Sequence, residues 1–120
     1  YMTNKDYGHW CAVIKIDNDT VEFFDPYGTF PDDELKFIPE NFRKRSNQVL
    51  PHLTSLLYYS PYKITYNHHK FQKLSNNIQT CGRHCIARVI LKNLPLKDYI
   101  KLFKNTDPDD IVTFLTLSLK

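Results

Sequence analysis

The sequence predicts an α+β fold in which a small, mostly antiparallel sheet packs against helices. Two observations carry this prediction. Two runs rich in β-branched and aromatic residues, separated by turn formers, lie near the start of the chain, and helical spacing of apolar residues dominates the last third. A length of 120 residues favours one domain over residues 1–120, because a second core would bury too little surface.

The composition is that of an ordinary globular protein. Hydrophobic residues make up 42% of the chain and charged residues 24%, which excludes a disordered tail. The sequence contains no apolar stretch of membrane-helix length and no signal-peptide pattern, so we expect an intracellular protein without a membrane partner. Three cysteines argue against a disulfide framework, and a net charge of +3 does not indicate a dedicated nucleic-acid binder.

A β-hairpin is expected near the amino terminus. Its strands are residues 11–16 and 20–25, joined by a turn of Asp17-Asn18-Asp19. Pro26 removes a backbone donor and ends the second strand, which places Asp25 at the strand's end.

Five helices and a third strand are expected after the hairpin, with a loop over residues 67–79. The predicted elements are helices over 31–38 and 49–59, a strand over 62–66, a helix that begins at Cys81 and ends before Pro95, a helix over 96–103, and a last helix capped by Asp107-Pro108-Asp109-Asp110. The predicted buried face of the helix from Cys81 is Cys81, Cys85, Ile86, Val89 and Ile90, and that of the last helix is Ile111, Phe114, Leu115 and Leu119.

A cysteine, a histidine and an aspartate form the candidate chemical group. The thiolate is the reactive form of cysteine, and a helix start favours it, which singles out Cys81. A histidine must then hold the proton, and a third group must fix the imidazole tautomer. His9, at the entry of the first strand, and Asp25, at the exit of the second, are expected to be neighbours across the hairpin.

Simpler interpretations exist for the same residues. Cys81 would be an ordinary buried cysteine, and Asp25 part of a turn. Zinc is a further alternative, because Cys81, His84 and Cys85 are ligand types, with Cys11, His68 or His69 completing the set. Their spacing does not match paired zinc-binding cysteines, so neither a metal ion nor a cofactor is expected.

Several motifs, in order, resemble the adenovirus maturation protease and the SUMO-deconjugating proteases. They are Gly8-His9-Trp10, Phe23-Phe24-Asp25-Pro26-Tyr27-Gly28, Gln72, and Thr80-Cys81-Gly82-Arg83-His84-Cys85. They are most similar to the versions encoded by large DNA viruses, virophages and self-synthesising DNA transposons. The resemblance covers nearly the whole chain and implies a papain-like α+β cysteine peptidase of the adenain type.

The resemblance also implies a role for each matching residue. His9 is the general base and acid, Asp25 orients it, and Cys81 is the nucleophile. The Gln72 side chain completes an oxyanion hole with the Cys81 backbone amide. Trp10 and Gly82 are assigned to substrate binding.

The chain departs from the family pattern in two places. The glutamine usually stands nearer the cysteine than Gln72 does, so Gln79 is a rival oxyanion donor. Family members also carry a helix and further structure ahead of the histidine, whereas only eight residues precede His9. We therefore expect a fragment or an enzyme shortened at the amino terminus.

The expected function is a cysteine endopeptidase that cleaves viral capsid or core precursors during maturation, in the host cytoplasm, the virus factory or the virion. One alternative is a peptidase that removes ubiquitin-like modifiers, which shares the same active-site residues. Another is a catalytically inactive scaffold that binds capsid or modifier protein. An activating peptide or a weak nucleic-acid contact is a further expected partner, because basic residues gather at Arg43-Lys44-Arg45 and over 68–73. The simpler interpretation of those residues is a solvated face.

Overall fold

A computed structural model describes residues 1–2, 8–72 and 80–117. Over these residues the chain forms a three-stranded sheet, one short 3-10 helix and five α-helices, which confirms the α+β class. The elements are β1 Ala12–Lys15, β2 Thr20–Phe24, the 3-10 helix Asp33–Phe37, α1 Glu40–Arg45, α2 His52–Tyr58, β3 Lys63–Tyr66, α3 Cys81–Ile90, α4 Leu96–Lys101 and α5 Pro108–Thr116. Within this described part, none of the helices has the length and apolar character needed to cross a membrane.

The sheet has the order β1-β2-β3 and mixes both strand directions. The predicted hairpin is present, with Ala12 opposite Phe24 and the Asp17 carboxylate accepting two backbone hydrogen bonds within the turn. β3 runs parallel to β2, with Phe23 opposite Tyr66, so the expectation of a mostly antiparallel sheet was wrong. The 3-10 helix, α1 and α2 fill the connection between β2 and β3, and a parallel pair requires such a long crossover.

Strand β2 is buried on both faces. Phe24 packs with Phe71, Tyr99 and Phe103 beneath the carboxyl-terminal helices, whereas Phe23 packs with Leu57 on the opposite face. Successive side chains of a strand point to opposite faces, so the adjacent Phe23 and Phe24 are each buried in a different cluster. Asp25 therefore emerges from a strand that is fixed on two sides.

α3 begins at Cys81, as predicted, but buries a different face. The buried positions include Cys81, His84, Cys85 and Arg88, whereas Ile86, Val89 and Ile90 are exposed. The predicted burial of Cys81 and Cys85 is confirmed. The predicted burial of Ile86, Val89 and Ile90 was wrong, because His84 and Arg88 find buried carboxylate partners on other elements. A paired polar side chain is buried at little cost, so polarity alone does not define the outer face.

The buried face of α5 also differs from the predicted one. Asp107 caps the helix as expected, accepting a hydrogen bond from the Asp109 backbone. The buried residues are Asp109, Val112 and Thr116. Of the residues predicted to be buried, Ile111 is half-buried against the core, whereas Phe114 and Leu115 are exposed. Leu119 lies outside the described residues. The contact between Asp109 and His84 on α3 fixes the rotation of α5.

A buried ion pair joins α3 to β2. The Arg88 guanidinium binds the Glu22 carboxylate through two hydrogen bonds of 2.8 and 2.9 Å. The same guanidinium donates to the carbonyls of Leu91 and Leu94, beyond the end of α3, and lies over the Tyr99 ring. The pair lies in the last turn of α3, at the opposite end from Cys81, and stabilises the packing of α3 against β2.

Candidate active site

His9 and Asp25 form a buried hydrogen-bonded pair. His9 Nε2 lies 2.8 Å from Asp25 Oδ1, and the two residues are 6% and 1% exposed. Ala12 is paired with Phe24, so the residues just before β1 and just after β2 share one edge of the hairpin. The structure thus brings together the histidine and aspartate that the sequence placed across the hairpin.

The turn after β2 wraps around the Asp25 carboxylate. The Tyr27 backbone N–H donates to Oδ1 and the Thr29 hydroxyl to Oδ2, each over 2.8 Å. Gly28 has a φ of 76° and lies so close to the next segment that a Cβ there would stand 3.0 Å from the His68 carbonyl oxygen. Glycine is therefore required for the turn that delivers these donors.

Asn67 holds the backbone of Asp25 from the neighbouring strand. Its side-chain Nδ2 donates to the Asp25 carbonyl over 2.6 Å, and its Oδ1 accepts from the Asp25 N–H over 2.8 Å. Sequence reasoning missed this role. The available signal was a polar residue directly after β3, where the parallel register with β2 brings it beside the end of that strand.

Tyr27 supports the other partner of the pair. Its ring stacks on the His9 imidazole, with centroids 4.5 Å apart and planes 14° apart. The stacking fixes the plane of the imidazole, while Asp25 fixes its rotation within that plane. This contact was also missed, because Tyr27 belongs to a turn whose conformation the sequence does not specify.

Cys81 lies at the first position of α3, facing His9. The Trp10 backbone N–H donates to Cys81 Sγ over 3.4 Å. Burial alone would raise the pKa of the Cys81 thiol, but hydrogen bonds from His9 and from the Trp10 amide outweigh it and lower that pKa. The thiolate is thus favoured at this cysteine.

The pKa of His9 moves in the opposite direction. Burial acts to lower it, but the hydrogen bonds to Asp25 and to Cys81 prevail and raise it to about 9. Because Nε2 faces Asp25, Nδ1 is the ring nitrogen left for Cys81. A lowered thiol pKa beside a raised imidazole pKa favours a thiolate–imidazolium pair at neutral pH.

The other two cysteines are chemically different from Cys81. Burial raises the pKa of Cys11 to about 12 and also raises that of Cys85. All three thiols are free. In the part of the chain that the structure describes, no group of three or more histidine, cysteine, aspartate or glutamate side chains is arranged to hold a metal ion.

Gln72, the predicted oxyanion donor, is buried beside the turn that follows Asp25. Its backbone N–H and that of Phe71 both donate to the Pro26 carbonyl, over 3.0 and 2.8 Å. The residue is 1% exposed. The rival Gln79 lies outside the described residues, so the choice of Gln72 stays a prediction.

Trp10 and Gly82 lie next to each other at the surface beside Cys81. Trp10 is 68% exposed, so the indole is not part of the core. A Cβ on Gly82 would stand 3.7 Å from Trp10 Cδ1. The exposed indole and Gly82, which has no side chain, thus lie side by side next to Cys81. This position is compatible with the substrate-binding role expected for both residues.

The chain is similar to the uncharacterized protein V9 of Sputnik virophage. The two are 42% identical over 123 residues, which cover 98% of this chain and 70% of that protein. No protein-family model and no solved structure matches the chain. The similarity is consistent with a viral origin and by itself indicates no protease family.

Proposed function

We propose, on the premise that the chain belongs to the family of the Sputnik virophage protein V9, that it is a papain-like cysteine endopeptidase. The observation that carries the proposal is the position of His9, which is hydrogen-bonded to Asp25 and lowers the pKa of the neighbouring Cys81 thiol. A nucleophile, a base and an orienting group in this order are the minimum for covalent catalysis of acyl transfer. The three residues lie before β1, after β2 and at the start of α3, so the fold brings them together from distant parts of the sequence.

In the first step, the Cys81 thiolate attacks the carbonyl carbon of the scissile peptide bond. The carbonyl oxygen gains a negative charge, for which the Cys81 backbone N–H and the Gln72 side chain are the proposed donors. The imidazolium of His9 then gives its proton to the departing amine nitrogen, and the C–N bond breaks. The products of this step are a free amine and a thioester on Cys81.

The second step returns the enzyme to its starting state. Neutral His9 takes a proton from a water molecule, whose oxygen attacks the thioester carbon. The C–S bond breaks, the carboxylic acid leaves, and the thiolate–imidazolium pair is restored. Asp25 holds the imidazole in place through both steps and stabilises its charged form, as in other catalytic triads.

The substrate class proposed is a viral structural precursor protein. Trp10 and Gly82 flank the thiol, and an exposed indole beside a residue without a side chain suits an extended peptide with a small residue at the scissile bond. The relative is a virophage protein, which is consistent with a viral origin, and we therefore propose a viral protein as the substrate.

The proposal is tested with the purified chain and a peptide library derived from the capsid proteins of its source, with new termini identified by mass spectrometry. We expect cleavage by the wild type and none by Cys81→Ala. Cys85→Ser and Cys11→Ser are the controls and should retain most of the cleavage, because burial raises the pKa of both thiols and disfavours their thiolates. Cleavage that survives in Cys81→Ala would exclude the proposed mechanism.

The same preparation separates the alternative functions. Labelling of Cys81 by a ubiquitin-like modifier with a carboxyl-terminal vinyl sulfone, without cleavage of capsid peptides, would assign the chain to modifier removal. Neither cleavage nor labelling, with retained binding to capsid protein, would assign it to the scaffold class.

A further inference from the structure

A second buried histidine–aspartate pair lies one turn beyond Cys81. His84 Nε2 lies 2.8 Å from Asp109 Oδ1, with His84 fully buried and Asp109 6% exposed. Nε2 is therefore the ring nitrogen that contacts the carboxyl group of Asp109. Burial lowers the pKa of His84 in spite of Asp109, so this imidazole is neutral at pH 7. Its role therefore differs from that of His9.

The same carboxylate oxygen also binds the residue that precedes Cys81. Thr80 Oγ1 donates to Asp109 Oδ1 over 2.5 Å. Asp109 belongs to α5, so the anchor comes from a different helix than the nucleophile. The residue before Cys81 and the residue three positions after it are thus tied to one atom.

The peptide unit between Thr80 and Cys81 is consequently fixed. The His84 backbone N–H donates to the Thr80 carbonyl over 2.9 Å, which directs that carbonyl along the helix. In a planar trans peptide the N–H points opposite to the carbonyl, so the Cys81 N–H points out of the amino-terminal end of α3. This amide is the backbone oxyanion donor of the proposed mechanism.

We propose that Asp109 is a positioning residue that, through Thr80 and His84, holds the Cys81 N–H towards the developing oxyanion. The inference rests on the proposed peptidase function. The His84 ring also packs against Phe71, with centroids 6.1 Å apart, and Phe71 precedes the other proposed oxyanion donor, Gln72. Loss of the Asp109 oxygen therefore loosens the peptide unit that carries the Cys81 N–H. It also loosens the packing next to Gln72.

The effect should appear in turnover and not in the reactivity of the thiol. An oxyanion donor must lie ~2.7–3.1 Å from the oxygen that gains charge, and a small rotation of the peptide exceeds that range. Alkylation by iodoacetamide forms no oxyanion and depends on the thiolate, which His9 and the Trp10 amide stabilise. Peptide cleavage therefore reports on the position of the oxyanion donor, whereas alkylation of Cys81 reports on the reactivity of the thiolate.

The experiment compares Asp109→Leu and Thr80→Val with the conservative variants Asp109→Asn and Thr80→Ser. For the first two we expect kcat for peptide cleavage to fall about 10- to 100-fold, with KM and the Cys81 alkylation rate close to wild type. Asp109→Asn keeps an acceptor oxygen and Thr80→Ser keeps the hydroxyl, so both should restore most of kcat. Thr80→Val carries the test if Asp109→Leu does not fold.

The matched control is Glu22→Gln, which weakens the other buried carboxylate contact to α3, at its opposite end. It should lower the free energy of unfolding but leave kcat of the folded protein unchanged. An unchanged kcat in Asp109→Leu or Thr80→Val would overturn the inference and leave the proposed function standing. So would equal losses of turnover and alkylation that follow the unfolded fraction of each variant. A wild-type protein that cleaves no peptide would overturn the proposed function, and the inference with it.

Discussion

The Asn67 side chain binds both backbone groups of Asp25, accepting from its N–H over 2.8 Å and donating to its carbonyl over 2.6 Å. Both residues are 1% exposed, so water cannot replace these two bonds. The position of Asp25 thus depends on the end of β3 as well as on its own strand.

Asn67→Ala should destabilise the protein, because it leaves two buried backbone groups without partners. A buried unsatisfied group costs about 1–3 kcal/mol, so we expect the free energy of unfolding to fall by about 2–4 kcal/mol. Urea denaturation measures the change, and Asn18→Ala, at an exposed turn position, is the control. Equal midpoints for the two variants would show that the Asn67 bonds contribute nothing.

Gln72→Ala should reduce turnover by about 10²–10³, the usual cost of one lost oxyanion donor, with little change in KM. The alkylation rate of Cys81 is the internal reference, since alkylation requires no oxyanion donor. Turnover like that of the wild type would remove Gln72 from the mechanism. A large loss in Gln79→Ala with a small loss in Gln72→Ala would assign the role to Gln79.

Arg88→Met should destabilise the fold by about 3–5 kcal/mol, because it leaves the Glu22 carboxylate buried and unpaired. Replacing both partners, in Glu22→Leu with Arg88→Met, should recover a large part of this loss, since an apolar pair needs no counter-charge. Chemical denaturation of the three proteins measures both effects. Identical midpoints for the single and double variants would contradict the account of this ion pair.

His9 should contribute to stability in a pH-dependent way. Its pKa in the folded protein, about 9, lies above its ordinary value of 6.5. This contribution is fully present below pH 6.5 and is lost as the pH rises through about 9. The lowered pKa of Cys81 acts in the opposite sense, since its contribution is present above the ordinary thiol pKa and is lost as the pH falls. The two shifts partly cancel in the wild type.

The measurement therefore uses Cys81→Ser, with and without His9→Gln. The hydrogen bond to Asp25 remains in Cys81→Ser and keeps the His9 pKa raised. We expect the difference in free energy of unfolding between the two proteins to shrink by about 1–3 kcal/mol from pH 6 to pH 9. A difference that does not change with pH would show that His9 is neutral in the folded protein.

The sequence predicted the hairpin, the start of α3 at Cys81 and the Asp107 cap, because each depends on residues that are close along the chain. It predicted the burial of Cys81 and Cys85 but not the rest of the buried faces of α3 and α5. Those faces depend on Arg88 meeting Glu22 and on His84 meeting Asp109, and these contacts join distant parts of the chain. The direction of β3 was missed for a similar reason, since helices in the connection set it.

The sequence predicted the reactive residues of the candidate site but not the residues that hold them in place. His9, Asp25 and Cys81 follow from strand ends, a helix start and ordered motifs. Asn67 acts through the parallel register of β3, and Tyr27 through the turn around Gly28, neither of which the sequence specifies. Supporting contacts of this kind require the packed structure.

The most direct test of the central claim, that His9 activates Cys81, is site-resolved alkylation. The folded protein is treated with limiting iodoacetamide at pH 6.5, and the modification of each cysteine is quantified by mass spectrometry. We predict that Cys81 reacts well before Cys11 and Cys85, whose pKa values are raised, and that His9→Ala abolishes this preference. Equal reaction of the three thiols in the wild type, or an unchanged preference in His9→Ala, would contradict it.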